Sequence, residues 1–160
     1  PAFINRNFER PVTDDLFDGL EKDIVAVFEK TGNDFAKHLE NNAADYDLET
    51  LVSDAFDLLA KYAVGCLFIE KNQFDFKFLA DNYRIYRKKF FETMKQYLAA
   101  FIESGKVRPL EQIELSTMLI IEILSWWAMD IRYTSFETQD ISPELAKKVC
   151  IDNILSAYKA

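Results

Sequence analysis

The chain is poor in glycine, proline and histidine. Its 160 residues include four glycines, four prolines and one histidine. So few turn-forming residues argue against a β protein, whose many short strands need frequent turns. The single histidine, His38, cannot build the paired Glu-x-x-His motifs that bind metals in helical carboxylate proteins. We expect His38 at the boundary of a helical core; the alternative is a neutral histidine that lines a pocket.

Cysteine is also scarce. The chain has two cysteines, Cys66 and Cys150, with no CxxC or metal-binding spacing. Both lie within apolar helical patterns, so we predict that they are small buried side chains in a reducing compartment. The sequence does not open with a basic segment, an apolar run and a small-residue cleavage site. This pattern favours a cytoplasmic location.

An excess of positive charge is missing too. The chain carries 27 acidic and 19 basic residues, which gives a net charge of −8. Because nucleic-acid binding depends on Lys and Arg at phosphates, we do not expect these residues to contact DNA or RNA. The one basic cluster contains Arg84, Arg87, Lys88 and Lys89. We expect a solvated face or pairs with nearby acids; the alternative is a site for an anionic effector.

A long run of uncharged apolar residues is absent. The most apolar stretch, Leu115 to Ile131, contains Glu122 and Asp130, whereas a membrane-spanning helix needs about 20 largely apolar residues. The stretch instead predicts a helix that is apolar on nearly every face, with no membrane partner. Such a helix must be buried all round. Since a small protein has little core to cover it, we expect one face to contact a second copy of the chain, a ligand, or both.

Two features of this stretch allow different interpretations. A buried carboxylate is costly without a partner, so Glu122 is either paired with Arg, Lys or Tyr, or serves as the polar anchor of an apolar ligand cavity. Trp126 and Trp127 point about 100° apart on a helix and cannot face the same neighbour. One of them is expected in the core or a cavity and the other towards a partner.

Apolar residues recur at helical spacing along the chain, which predicts an all-α fold of about six helices. A polar break near Asn82 separates the third from the fourth, Gly105 ends the fourth, and Ser142-Pro143 begins the last. The predicted helices span residues 14–40, 48–68, 75–81, 83–103, 111–135 and 142–158. No nucleophile-elbow or glycine-rich phosphate loop is present, so we expect neither an enzyme nor a cofactor.

The order of these elements resembles the C-terminal, effector-binding and dimerisation domain of TetR/AcrR-family transcriptional regulators. The most recognisable piece is the junction from Gly105 to Arg108 (GKVR), followed by an apolar helix. The resemblance covers about Asp14 to Tyr158 and assigns residues 13–160 to that domain. It implies that residues 1–12 are a linker or a remnant of a preceding DNA-binding domain, and that the helix-turn-helix which contacts DNA is missing here.

The resemblance also implies two sets of functional residues and a small apolar or aromatic effector. The last two helices would form a four-helix bundle in a homodimer. The implied effector-cavity residues are Tyr62, Tyr86, Phe90, Met94, Tyr97, Glu122, Trp126 and Met129. The implied dimer-interface residues are Thr117, Ile120, Leu124, Trp127, Ala128, Ile151, Ile154, Leu155 and Tyr158.

Two alternatives belong to other classes of function. One is a helical protein–protein interaction module with a solid core and no effector. The other is a small-molecule-binding enzyme of unfamiliar type, since catalytic groups can converge in space without a motif. An internal cavity distinguishes an effector-binding domain from a solid interaction module.

Overall fold

The computed structural model describes residues 14–133 and 141–160. The predictions for residues 1–12, and for the end of the fifth predicted helix at residue 135, fall outside these ranges. Within them the fold is all-α, as predicted: the described residues contain no strand, and one isolated bridge joins Val107 to Lys159.

Five helices account for the described chain, one fewer than expected from the sequence. They are α1 (Asp14–Ala36), which ends in the 3-10 helix Lys37–Asn41; α2 (Leu48–Lys71); α3 (Lys77–Glu103); α4 (Ile113–Ser125), which continues through the π-helical turn Trp126–Asp130 to Ile131–Tyr133; and α5 (Pro143–Tyr158).

The difference arises at Asn82, where the predicted break does not exist. The helix α3 runs through this position without interruption. The side-chain amide of Asn82 donates a hydrogen bond to the carbonyl oxygen of Phe78, one turn earlier, at 2.9 Å. The polar side chain is therefore satisfied within the helix and does not compete with its backbone hydrogen bonds.

Helix ends follow the local signals in the sequence. Asp47 caps α2, since its Oδ1 accepts a hydrogen bond from the backbone N–H of Thr50 at 2.8 Å. Ser142 caps α5 in the same way through the backbone N–H of Leu145, and proline occupies the first turn, as predicted. Gly105, with φ of +72°, follows α3 in the left-handed conformation that glycine adopts readily.

The core lies between α2 and α3, and the other helices pack around it. α2 contacts α3, α4, the π-helical turn and α5, while α1 packs against α3. Tyr97 of α3 and Phe101 one turn later are completely buried. The Tyr97 hydroxyl donates a 2.6 Å hydrogen bond to the carbonyl oxygen of Phe35, and so ties α3 to the end of α1.

Lys106, in the junction after α3, has a structural role. Its ammonium group donates hydrogen bonds to the carbonyl oxygens of Ala43, Ala44 and Tyr46, at 3.1, 2.9 and 2.7 Å. The Nζ atom also lies 5.6 Å from the centre of the Phe101 ring. One lysine therefore fastens the α1–α2 connection to the end of α3.

We expect Lys106→Met to lower the free energy of unfolding by about 2–3 kcal/mol, because three carbonyl oxygens lose a charged donor. Urea denaturation followed by circular dichroism measures this. Lys148→Met is the matched control, since Lys148 pairs with the exposed Asp152 one turn away. This substitution should change the free energy of unfolding by less than about 0.5 kcal/mol. Equal stabilities of the two variants would refute the role of Lys106.

Candidate functional site

A narrow cavity lies between α1, α2 and α3. Its volume is about 20 Å³, enough for a single water molecule. Almost all of its wall is apolar or aromatic. The lining residues are Val27, Phe28 and Thr31 of α1; Leu58, Leu59, Tyr62 and Cys66 of α2; and Tyr83, Tyr86, Arg87 and Phe90 of α3.

Aromatic rings form the α1–α3 side of this cavity. Phe28, from the apolar stripe of α1, stacks on Tyr86 with 5.0 Å between ring centres and lies 5.9 Å from the Tyr83 ring. Tyr83, Tyr86 and Phe90 follow one another at helical spacing on α3. Ring separations of this size are typical of favourable aromatic pairs, so the rings contact one another along this side of the cavity.

The surroundings of the cavity shift the pKa values of the tyrosine and cysteine side chains that line it. Burial raises the pKa of Tyr83 and of Tyr86 well above the usual tyrosine range. Burial also raises the pKa of the Cys66 thiol, although a hydrogen bond with Tyr83 opposes this. A hydrogen bond with Thr31 lowers the pKa of Tyr62. Among the described residues that line the cavity, Arg87 is the one Lys, Arg, Asp or Glu.

Arg87 connects the cavity to two neighbouring parts of the molecule. It also lines an open cleft of about 280 Å³, which it shares with Tyr83, Glu70 and Arg84. Its Nη1 lies 3.5 Å from the Ser125 hydroxyl oxygen and its Nη2 lies 3.9 Å from a carboxylate oxygen of Glu122. Both of these residues belong to the last turn of α4, directly before the π-helical turn.

We expect Cys66 to react with iodoacetamide at pH 8 about a hundredfold more slowly than free cysteine, since the thiol is buried and its pKa is raised. Mass spectrometry of labelled peptides measures the rate. Rapid labelling in denaturant provides the control. Labelling of the native protein at the rate of free cysteine would show that the cavity is open to solvent.

Three of the eight implied effector-cavity residues line this cavity: Tyr62, Tyr86 and Phe90. Met94, Tyr97 and Met129 are instead buried in the packed core. Glu122 and Trp126 are exposed on the outer face of α4. Glu122 therefore does not anchor a buried pocket; its side chain is 70% exposed and faces Arg87, which agrees with the interpretation of a paired carboxylate.

Most of the implied dimer-interface residues belong to the core of the single chain. Trp127, Ile151 and Leu155 are only partly buried. Side chains without exposed surface cannot contact a second chain in this conformation. The prediction of which face of α4 meets the second protomer therefore needs correction. The implied interface residues that are at most 1% exposed are Thr117, Ile120, Leu124, Ala128 and Ile154, and Tyr158 is 7% exposed.

A different face of α4 is apolar and exposed. Leu115, Met118, Leu119 and Trp126 form what we call the α4 stripe, and each is at least 40% exposed. They follow helical spacing, so they share one side of the helix. The adjacent helix α5 exposes Leu145 and Val149, which lie one turn apart. Exposed apolar side chains grouped in this way are typical of interaction sites, and the charged residue on the same side of α4 is Glu122, one turn after Met118.

Several cavity residues were not predicted from the sequence. Val27, Phe28 and Thr31 place α1 in the cavity wall, and Leu58 and Cys66 add to the α2 side. Phe28 and Cys66 were recognisable as members of apolar stripes. Helical periodicity shows that a residue faces inward, but it does not distinguish a packed interior from a hollow one.

His38 and two residues of the basic cluster, Arg84 and Lys89, are engaged with protein partners. The His38 ring stacks on Tyr46, with 4.2 Å between ring centres. In the basic cluster, Arg84 pairs with Asp81 at 2.7 Å and Lys89 donates to the Asn33 amide oxygen. Residues 14–133 and 141–160 contain no group of three or more potential metal-binding side chains. None of the helices described there is both long and apolar enough to cross a membrane.

Comparisons of the chain with protein-family models, with curated proteins and with solved structures found no match. The functional argument therefore rests on the cavity between α1, α2 and α3 and on the α4 stripe.

Proposed function

We propose that this chain is the effector-binding and dimerisation domain of a TetR-like transcriptional regulator, and that its effector is a small apolar or aromatic molecule. The observation that carries the proposal is the aromatic cavity between α1, α2 and α3. DNA binding belongs, in this proposal, to a helix-turn-helix domain that the 160 residues do not contain.

The cavity supports effector binding through its chemistry. Ligand sites are mostly apolar, with a few polar groups that fix orientation. Here Phe28, Tyr86 and Phe90 supply the apolar wall, while Thr31 and Arg87 supply polar groups. Because ligand pockets usually measure about 300–1,000 Å³, the effector has to displace side chains, and an adjoining cleft of about 280 Å³ provides room for this.

The α4 stripe supports a homodimer. Leu115, Met118 and Leu119 are each more than half exposed, and Trp126 adds an aromatic ring. Burial of apolar surface is the main driving force of association, and aromatic residues are common anchors of interfaces. A two-fold arrangement would place the stripe of one protomer against that of the other and cover α5 beside it.

The regulatory mechanism in this proposal is a population shift. An effector that binds one arrangement of α1 on α2 and α3 more tightly favours that arrangement. The helix α1 supplies Val27, Phe28 and Thr31 to the cavity, so a change there moves the helix that leads towards the chain's N-terminus. The coupling energy cannot exceed the difference in effector affinity between the two states.

The size of the cavity favours a second candidate function. A space of about 20 Å³ leaves the interior nearly solid. A helical protein–protein interaction module without an effector needs no more than that, and would use the α4 stripe to bind its partner. The presence of a bound small molecule decides between the two functions.

Native mass spectrometry of the chain purified from its own cells tests effector binding. We expect one small molecule per protomer in the wild type and none in Leu59→Phe, because Leu59 is only 7% exposed and the larger side chain fills the cavity. Val64→Phe, on the same helix but exposed and outside the cavity, is the matched control and should retain it. A chain without bound mass, whose melting temperature no aromatic compound raises, would favour the interaction module.

A further inference from the structure

We infer that the effector is an amphipathic carboxylate, with its apolar body among the rings of the cavity and its carboxylate on the guanidinium group of Arg87. This inference rests on the proposed effector site and names the chemical class that the site would select. It also gives Arg87 a role beyond that of a solvated member of the basic cluster.

Arg87 belongs to the cavity wall, and its polar partners lie at long distances. Its two contacts, to Ser125 and Glu122, are long, at 3.5 and 3.9 Å. A charge-assisted hydrogen bond between a guanidinium group and a carboxylate is normally about 2.7–2.9 Å. Its side chain is only 28% exposed, so surrounding water compensates the charge in part. A carboxylate that accepts two hydrogen bonds from the guanidinium group would satisfy the donors that these long contacts leave without a close acceptor.

The other charged groups of the cleft are already engaged. The Glu70 carboxylate accepts a 2.7 Å hydrogen bond from the Tyr83 hydroxyl. Arg84 donates to Asp81 and to the Gln73 side-chain oxygen, both at 2.7 Å. An incoming anion would have to break short bonds to reach Arg84, but only long ones to reach Arg87. Arg87 is therefore the preferred anchor for an anion. The negative charge of Glu70 makes the rest of the cleft unfavourable for anions.

The geometry also provides a route from the open cleft into the cavity and a volume for the ligand. Tyr83 and Arg87 line both the narrow cavity and the open cleft, so these two side chains form the wall between them. If Arg87 turns to meet a carboxylate, the two spaces join. The combined volume is near the lower end of the range for ligand pockets. A one- or two-ring carboxylate, or a short acyl chain with a carboxylate end, fits this description.

Binding would have a consequence for α4. The carboxylate competes for Arg87 with Ser125 and Glu122, the α3–α4 contacts that precede the π-helical turn. Turns of this type are often found at functional sites. Trp126, the first residue of the turn, belongs to the α4 stripe. Effector binding at Arg87 would thus release a contact beside the proposed dimer interface.

Isothermal titration calorimetry with 2-naphthoate and its neutral analogue 2-naphthamide tests this inference. We expect wild-type protein to bind the carboxylate at least about tenfold more tightly than the amide. Arg87→Gln should abolish this difference, and Lys88→Gln should preserve it within about twofold, because Lys88 carries the same charge but is exposed and lines neither the cavity nor the cleft. Glu122→Gln should strengthen naphthoate binding, since it removes a competing carboxylate.

Circular dichroism checks that each variant is folded. If Arg87→Gln does not fold, Arg87→Lys replaces it in the test, because lysine keeps the positive charge. The lysine variant should lose most of the preference for the carboxylate, because an ammonium group cannot bind it in the same planar, bidentate manner. Equal wild-type affinity for the two probes, or equal losses in Lys88→Gln and Arg87→Gln, would overturn the inference while leaving the effector site intact. Absence of binding by both probes, together with no bound molecule in the native mass spectrum, would overturn the proposed function as well.

Discussion

Leu119→Glu is expected to convert the proposed dimer to a monomer and raise its dissociation constant at least about a hundredfold. Leu119 lies within the α4 stripe and is 55% exposed, so the single chain tolerates a charge there. In a two-fold interface the substitution occurs twice, so it adds two carboxylates to those of Glu122 on the same side of α4 and increases the repulsion between the protomers. Sedimentation velocity over a dilution series measures the dissociation constant.

The matched control is Ile85→Glu on α3. Ile85 is an exposed aliphatic side chain outside the α4 stripe and outside the cavity, so the same change of charge there should leave the dimer intact. Circular dichroism spectra of both variants should match that of the wild type. If Leu119→Glu remains as dimeric as Ile85→Glu, the α4 stripe is not the interface.

Phe101→Ala is expected to lower the free energy of unfolding by about 3–5 kcal/mol, a large part of the stability of a small domain. Phe101 is completely buried and lies beside Tyr46 and Tyr97, with ring centres 6.4 and 6.2 Å away. Its removal leaves a cavity where α3 meets the α1–α2 connection, and Lys106 loses the ring beneath its ammonium group. Urea denaturation measures the effect.

Phe74→Ala provides the comparison, because Phe74 is 91% exposed in the loop between α2 and α3. The same loss of a ring there should change stability by less than about 0.5 kcal/mol. A similar loss of stability in both variants would mean that Phe101 does not occupy the centre of the core.

Local signals were enough to predict most helix ends. Ser142-Pro143 begins α5 and Gly105 follows the end of α3. Both effects depend only on residues that are neighbours in the sequence. Asn82 gave the opposite result, because an asparagine side chain can either cap a break or bond within a continuous helix. The choice depends on packing around α3, which local sequence does not contain.

The orientation of α4 could not be predicted for a related reason. Apolar residues occur at every phase of this helix, so their periodicity carries no information about which face is inward. The structure buries Ile120 and Leu124 and exposes Leu119 and Trp126. Partner helices make this choice, with α2 against the π-helical turn and α3 against α4.

The candidate site was predicted only in part because a cavity is a property of packing. Tyr62, Tyr86 and Phe90 follow from the inward faces of α2 and α3. The contribution of Phe28 depends on how closely α1 approaches α3, and that distance is set by the bulk of several rings together. Arg87 was visible as a basic residue, but its place in the cavity wall was not.

Mass in solution, measured by light scattering over a dilution series, tests the central claim most directly. We predict twice the chain mass of 18.6 kDa, persisting on dilution, because covering the α4 stripe stabilises the dimer. A mass of 18.6 kDa at every concentration would contradict the dimer, and with it the proposal of a TetR-like regulatory domain.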